Sequence, residues 1–151
     1  MSQIREVIFA INPEYDNFDD LQAYFKEYSH RFWYESATTL VFDFEPSEGN
    51  PSVSPQIKRQ LFLIFKEMQN NIAKHAQATT VHITLKLTDI NHYFLEIRDN
   101  GIGFQQDTAH CFSQGLSGMK QRAESINAVL TIKSTIGQGA TLKIVGTLGY
   151  Q

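Results

Sequence analysis

Four short motifs in this chain carry residue types and spacings able to do chemistry. The first is Asp99-Asn100-Gly101-Ile102-Gly103-Phe104, which follows the apolar run Tyr93-Phe94-Leu95-Glu96-Ile97. Two glycines one residue apart let backbone approach a flat ligand where any Cβ would clash. A carboxylate just before them can accept a hydrogen bond from an exocyclic amine or a backbone N–H. The same letters also spell a hairpin turn, because Asn-Gly after a strand is the strongest short hairpin signal. The second motif is Glu67, Asn71 and Lys74. At about 100° per residue these fall within an arc of about 60°, so a carboxylate, an amide and an ammonium share one helix edge. A solvated helix face would look the same. Gly115-Leu116-Ser117-Gly118-Met119 and Gly137-Gln138-Gly139 complete the set, and loop or cap geometry would use these glycines equally well.

The elements that must position these residues follow from periodicity. The spacing predicts a long helix from about Ser54 to Ala76, with Ser54 as N-cap and Pro55 at the first helical position. Ile57, Leu61, Ile64, Phe65, Met68 and Ile72 form its core stripe. Glu67, Asn71 and Lys74 border that stripe. His75 falls back onto it, which favours a packed or partly exposed helix-end histidine over a ligand. Residues 4–11 read as a short helix stopped at Asn12-Pro13, with Val7, Ile8 and Ile11 on one face; a disordered terminus is the alternative. A second helix is expected from Asp16 to Trp33, capped by Asp16 or Asn17. Strands are expected at 38–45, 80–88, 92–98, 129–134 and 140–147. Gln105 to Gln114, with Asp107, His110, Cys111 and Phe112, has no period and the length of a binding-site lid. A helix opens at Gly115 and runs to about Ile126.

Composition narrows the class. A chain of 151 residues with net charge −3 fits one domain and lacks the basic face that nucleic acid would need. Cys111 is the single cysteine, so no internal disulfide is possible, which suits a reducing compartment. No apolar run approaches the roughly 18–20 residues of a membrane span, and no signal peptide is visible at Met1-Ser2-Gln3-Ile4-Arg5.

Taken in order, Glu67-x-x-x-Asn71-x-x-Lys74, Asp99-x-Gly101-x-Gly103, Gly115-x-x-Gly118 and Gly137-x-Gly139 resemble the ATP-binding domain shared by sensor histidine kinases, gyrase, Hsp90 and MutL. The resemblance covers about residues 57 to 145. Asn71-Ile72-Ala73-Lys74-His75-Ala76, the short lid and Gly115-Leu116-Ser117-Gly118-Met119-Lys120-Gln121-Arg122-Ala123 resemble the sensor kinases that pair with helix-turn-helix response regulators. It implies an α/β (α+β) fold: a two-layer sandwich, a mixed β-sheet with helices packed on one face. It divides the chain into residues 1–13, a remnant of a dimerisation helix and linker, and residues 14–151, the catalytic domain.

The resemblance also implies roles. Asp99 would accept from the adenine amino group, a donor that guanine lacks at that edge. Gly101 and Gly103 would pass close to the base. Asn71 would give its oxygen to Mg²⁺, with Glu67 reaching the ion through a water or polarising the attacking group. Lys74 would meet a phosphate as a point charge. Gly115 and Gly118 would open a helix whose N–H groups face the phosphates. His75, Leu116, Met119, Gly137, Gly139 and Thr141 complete the implied ATP site. The implied partners are the dimerisation and phosphoacceptor helices of a homodimeric parent kinase and a response regulator, with no nucleic acid. The implied location is a cytoplasmic domain of a sensor that the membrane can anchor.

Two departures stand out. Ser113 occupies a position usually held by glycine, and Ala140 stands where a threonine commonly follows the last glycine pair. Thr141 is next, but adjacent strand residues face opposite sides, so weaker adenine affinity is expected. The phosphoacceptor is also missing: none of His30, His75, His82, His92 and His110 is followed by an acid. The expectation is a kinase domain that binds ATP and Mg²⁺ but needs a separate acceptor. The alternatives are a stand-alone relative, either an anti-sigma serine kinase or an ATP hydrolase, and a non-catalytic nucleotide-sensing module.

Overall fold

Ser54 starts the central helix as its type and place require. Its hydroxyl accepts from the Ile57 N–H at 3.3 Å, with Pro55 at the first position. In the computed structural model, which describes residues 2–105 and 113–149, this helix is α3, Pro55–Asn71. Its predicted stripe of Ile57, Leu61, Ile64, Phe65, Met68 and Ile72 is wholly buried. The helix does not continue as an α-helix to Ala76. Ile72–Ala76 is a π-helical turn, ended by Gln77 in the left-handed conformation. A wider turn advances each residue by less than 100°, so positions after Asn71 leave the α-helical register. His75 consequently lies exposed rather than on the apolar stripe. Such turns recur where a helix carries function.

The remaining helices are α1, Ser2–Ile11; α2, Phe18–Phe32; and α4, Ser113–Ser125. The strands are β1, Thr39–Asp43; β2, Thr80–Leu87; β3, His92–Asp99; β4, Val129–Ser134; and β5, Ala140–Thr147. They form one sheet in the order β1-β2-β3-β5-β4, with β1 parallel to β2 and the other pairs antiparallel. Alternation decides the layers. Val81, Ile83 and Leu85, then Tyr93, Leu95 and Ile97, then Leu142 and Ile144 face one side and join the core beneath the helices. His82, Phe94, Arg98, Thr141 and Lys143 face the other side. The result is the expected two-layer sandwich with a mixed sheet.

Three expectations are corrected in detail. Asn17 occupies the cap position of α2 without a side-chain cap bond. The Asp19 N–H is met instead by Asn50 Oδ1 at 3.0 Å, from a loop far along the chain. Helix α4 starts at Ser113, two residues before Gly115, because the helical run takes in the end of the segment read as lid. The rest of that lid, residues 106–112, lies outside the described residues. Helix α1 is formed, against the disordered alternative, and is anchored by a residue outside the face predicted for it. Phe9 is buried and stacks on Tyr24 at 3.8 Å between ring centres, while Val7, Ile8 and Ile11 stay exposed.

Two polar side-chain links tie α3 to the segment before it. The Trp33 indole N–H donates to Gln69 Oε1 at 2.9 Å, holding the end of α2 beside the residues preceding Asn71. Lys58, fully buried, donates to Asp16 at 3.2 Å. The carboxylate of Asp16 is half open to water, which limits what the pair contributes. Asp16→Asn should cost about 1–2 kcal/mol by leaving a buried ammonium without its counter-charge, whereas Lys58→Met should be close to neutral. Urea denaturation of both variants checks this; equal losses would show that the charge pair itself does not matter.

Candidate nucleotide site

Asp99 ends β3 as its last buried residue, 4% exposed. The chain cannot turn back into a hairpin after it, because the next antiparallel partner of β3 is β5. Asn100 serves another purpose. Its Oδ1 accepts from the N–H groups of Thr79 and Thr80, both at 2.9 Å, tying the end of β3 to the start of β2. Asp99 Oδ1 accepts from the Gly101 N–H at 2.8 Å, and the Ala140 N–H also donates to the carboxylate. Burial raises the Asp99 carboxyl above its ordinary range, while these two N–H bonds pull the other way.

The carboxylate faces an open-mouthed pocket lined by Asn71, Ile72, His75, Ala76, Asp99, Gly103, Phe104, Ala140 and Leu142. A mostly apolar wall with a few convergent polar groups is what a small-molecule site needs. The walls hold together through backbone. The Ile102 N–H donates to the Ala76 carbonyl at 2.8 Å, and the Gly137 N–H donates to the Ile102 carbonyl at 2.7 Å. Gly101 lies so close to the Ala76 carbonyl that a Cβ would overlap it. Gly139, with φ +79°, lies equally close to the Asp99 carbonyl.

The second half of the site forms where α3 meets α4. A Cβ on Gly115 would lie 2.7 Å from Glu67 Oε1 and 3.8 Å from the Asn71 amide. The two α3 side chains therefore converge on the first turn of α4, where N–H groups lack helical partners. Gly118 falls in the second turn with open space about it, so it does not belong to that N-terminal set. Leu116 packs against the core and Met119 is buried in it, and neither lines the pocket. Lys74 is exposed on the π-helical turn. Thr141 points to the sheet face opposite Ala140, away from the pocket. Phe104, Ile72 and Leu142 were not singled out as site residues from sequence. An aromatic directly after the Gly-x-Gly pair was the available signal for Phe104.

The glycine-lined pocket above a buried aspartate, beside a helix carrying a carboxylate and an amide, defines a nucleotide-binding α/β sandwich. The sequence profile of the histidine kinase-, DNA gyrase B- and HSP90-like ATPases matches residues 56–148, and the chain belongs to that family. Among curated proteins it is similar to the sensor histidine kinase ComP of Bacillus subtilis, 40% identical over 66% of this chain and 13% of ComP. It is also similar to the histidine-protein kinase/phosphatase DegS of Brevibacillus brevis, 28% identical over 95% of this chain and 36% of DegS. The chain thus spans well under half the length of these relatives. The fold matches the histidine kinase domain of the Erythrobacter litoralis EL346 blue-light activated kinase, with TM-score 0.71 at 16% identity, covering 95% of this chain and 69% of that one. Among the described residues, no helix is long and apolar enough to cross a membrane.

Proposed function

We propose that this chain is the ATP- and Mg²⁺-binding catalytic domain of a sensor histidine kinase, of the branch that pairs with helix-turn-helix response regulators. The observation that carries the reading is the buried Asp99 carboxylate facing a pocket that Asn71 and His75 rim. The remaining acceptor capacity of Asp99 takes the adenine amino group. Gly101 and Gly103 keep the backbone close to the base, and Gly137 and Gly139 shape the turn beneath it. The α4 first turn, with Gly115, presents N–H groups to phosphate oxygens, and Lys74 adds a point charge.

The donor set fits Mg²⁺, because the ends of Glu67 and Asn71 converge and both offer hard oxygens. Asn71 would hold the ion, with Glu67 reaching it through a water. When bound, the ion neutralises phosphate charge. In the reaction the bond from the γ-phosphorus to the ADP oxygen breaks, and a bond to an imidazole nitrogen forms. The transition state is loose, so the chain contributes positioning and charge stabilisation. Glu67 is the residue placed to polarise the incoming imidazole. The acceptor histidine comes from the dimerisation helices of a homodimeric parent, and the phosphoryl group passes on to a response regulator. Residues 1–13 serve as the junction to those helices and residues 14–151 as the catalytic domain, on the cytoplasmic side of a sensor that is soluble or membrane-anchored. With Ala140 in the pocket and Thr141 facing away, adenine affinity is expected to be modest.

Calorimetry with ATP and GTP, each with and without Mg²⁺, tests the reading. ATP should bind in preference to GTP, and chelating Mg²⁺ should weaken ATP about tenfold. Asn71→Ala should abolish that tenfold difference while adenosine still binds. Equal binding of GTP, or indifference to Mg²⁺ in the wild type, would sink the assignment. A supplied acceptor helix that gains phosphate would separate a kinase from a sensing module, and hydrolysis without any acceptor would point to an ATP hydrolase.

A further inference from the structure

We infer that Ser134 is a positioning residue for the base pocket, a role that rests on the nucleotide reading above. Ser134 ends β4 and shares the sheet face of Leu130 and Ile132, turned towards the helices. It does not line the pocket. Its hydroxyl makes bonds on both sides. Oγ accepts from the Phe104 N–H at 2.8 Å and donates to the Gly139 carbonyl at 3.1 Å.

Those partners belong to two chain segments that each carry a pocket-lining residue. Phe104 is the aromatic wall. Gly139 precedes Ala140, whose N–H holds the Asp99 carboxylate and whose methyl lines the pocket. One side-chain oxygen therefore sets the gap between the Phe104 backbone and the strand that orients Asp99. The Gly137 to Ile102 bond also joins these two strips, but through backbone and at the far side of Gly103. A hydroxyl is well suited to the task because it donates and accepts at once. Alanine would take this acceptor from the Phe104 N–H, while the Gly139 carbonyl would keep the Thr135 N–H at 3.3 Å.

The test uses Ser134→Ala and Ser134→Thr, the latter keeping a hydroxyl, with three probes: adenosine, ATP–Mg²⁺ and inorganic tripolyphosphate–Mg²⁺. Ser134→Ala should weaken adenosine and ATP by the same factor, roughly tenfold, and leave tripolyphosphate unchanged. Ser134→Thr should restore most of the loss. In the ligand-free wild type, the Phe104 amide should exchange with solvent as slowly as amides of the β4–β5 ladder, and faster in Ser134→Ala. The inference is overturned if Ser134→Ala binds adenosine like the wild type, if tripolyphosphate falls equally, or if threonine restores nothing. A wild-type Phe104 amide that exchanges at a free-loop rate would overturn it without any variant. A wild-type protein that binds no adenosine but protects that amide would keep the clamp and remove the nucleotide reading beneath it.

Discussion

Asp99→Asn is expected to weaken ATP binding by at least about 100-fold, or roughly 2.7 kcal/mol. The buried carboxylate already receives N–H bonds from Gly101 and Ala140 and still has acceptor capacity for the pocket. Asparagine offers one acceptor oxygen and one NH₂ donor. If the oxygen serves the backbone, the NH₂ meets the adenine amino group, donor against donor. If the oxygen serves adenine, a buried backbone N–H loses its partner. Guanine carries an acceptor at the corresponding edge, so the ratio of ATP to GTP affinity should collapse further than ATP affinity explains. Calorimetry with both nucleotides reads this directly, and retained preference for ATP would show that another group reads the base.

The same carboxylate gives a pH signature without ligand. Burial holds its pKa above the unfolded value, so between the two values the folded chain binds more protons than the unfolded one. Stability from this group is therefore greatest below the unfolded pKa and is lost as pH rises through the folded one. Asp99→Asn should remove that component of the slope. Urea melts across the acid range would compare the two proteins.

Gly139→Ala is expected to destabilise the fold by about 3–4 kcal/mol. Its φ of +79° costs an L-residue about 1–2 kcal/mol. The added Cβ would also overlap the Asp99 carbonyl, which is backbone and cannot step aside. For a domain of this size the sum corresponds to a drop of roughly 10 °C in Tm. Gly137→Ala is the matched control. Its φ is +81°, but nothing lies near its added Cβ, so it should cost only the conformational part. A thermal melt in which both substitutions cost the same would show that the close approach at Gly139 is unimportant.

How much of this was legible beforehand depends on the range of the interactions. The stripe from Ile57 to Ile72 was legible because helical period is local, and every residue of it is buried. Asp99, Gly101 and Gly103 were legible only in company with the three other motifs, because alone the same letters spell a hairpin turn. Where α-helical periodicity failed, it failed at the π-helical turn, Ile72–Ala76. No local preference marks that turn. It forms where the end of α3 meets Ile102, whose N–H takes the Ala76 carbonyl. His75 lies at the pocket rim for that reason, although the sequence placed it on the core stripe.

Apart from the π-helical turn, the sequence by itself determined the element types, the alternation that separates Ala140 from Thr141, and the edge shared by Glu67 and Asn71. These are consequences of helix and strand periods, which a chain carries wherever it is placed. The tertiary structure alone decided what those residues meet. It brought Gly115 against Glu67 and Asn71, Asn50 to the start of α2, Lys58 beneath Asp16, and Ser134 between Phe104 and Gly139. All but the Ser134–Gly139 bond, which crosses the β4–β5 turn, are contacts between segments far apart in the chain. They exist because burying the core stripes leaves one arrangement of the helices on the sheet, and no pattern within either segment encodes its partner.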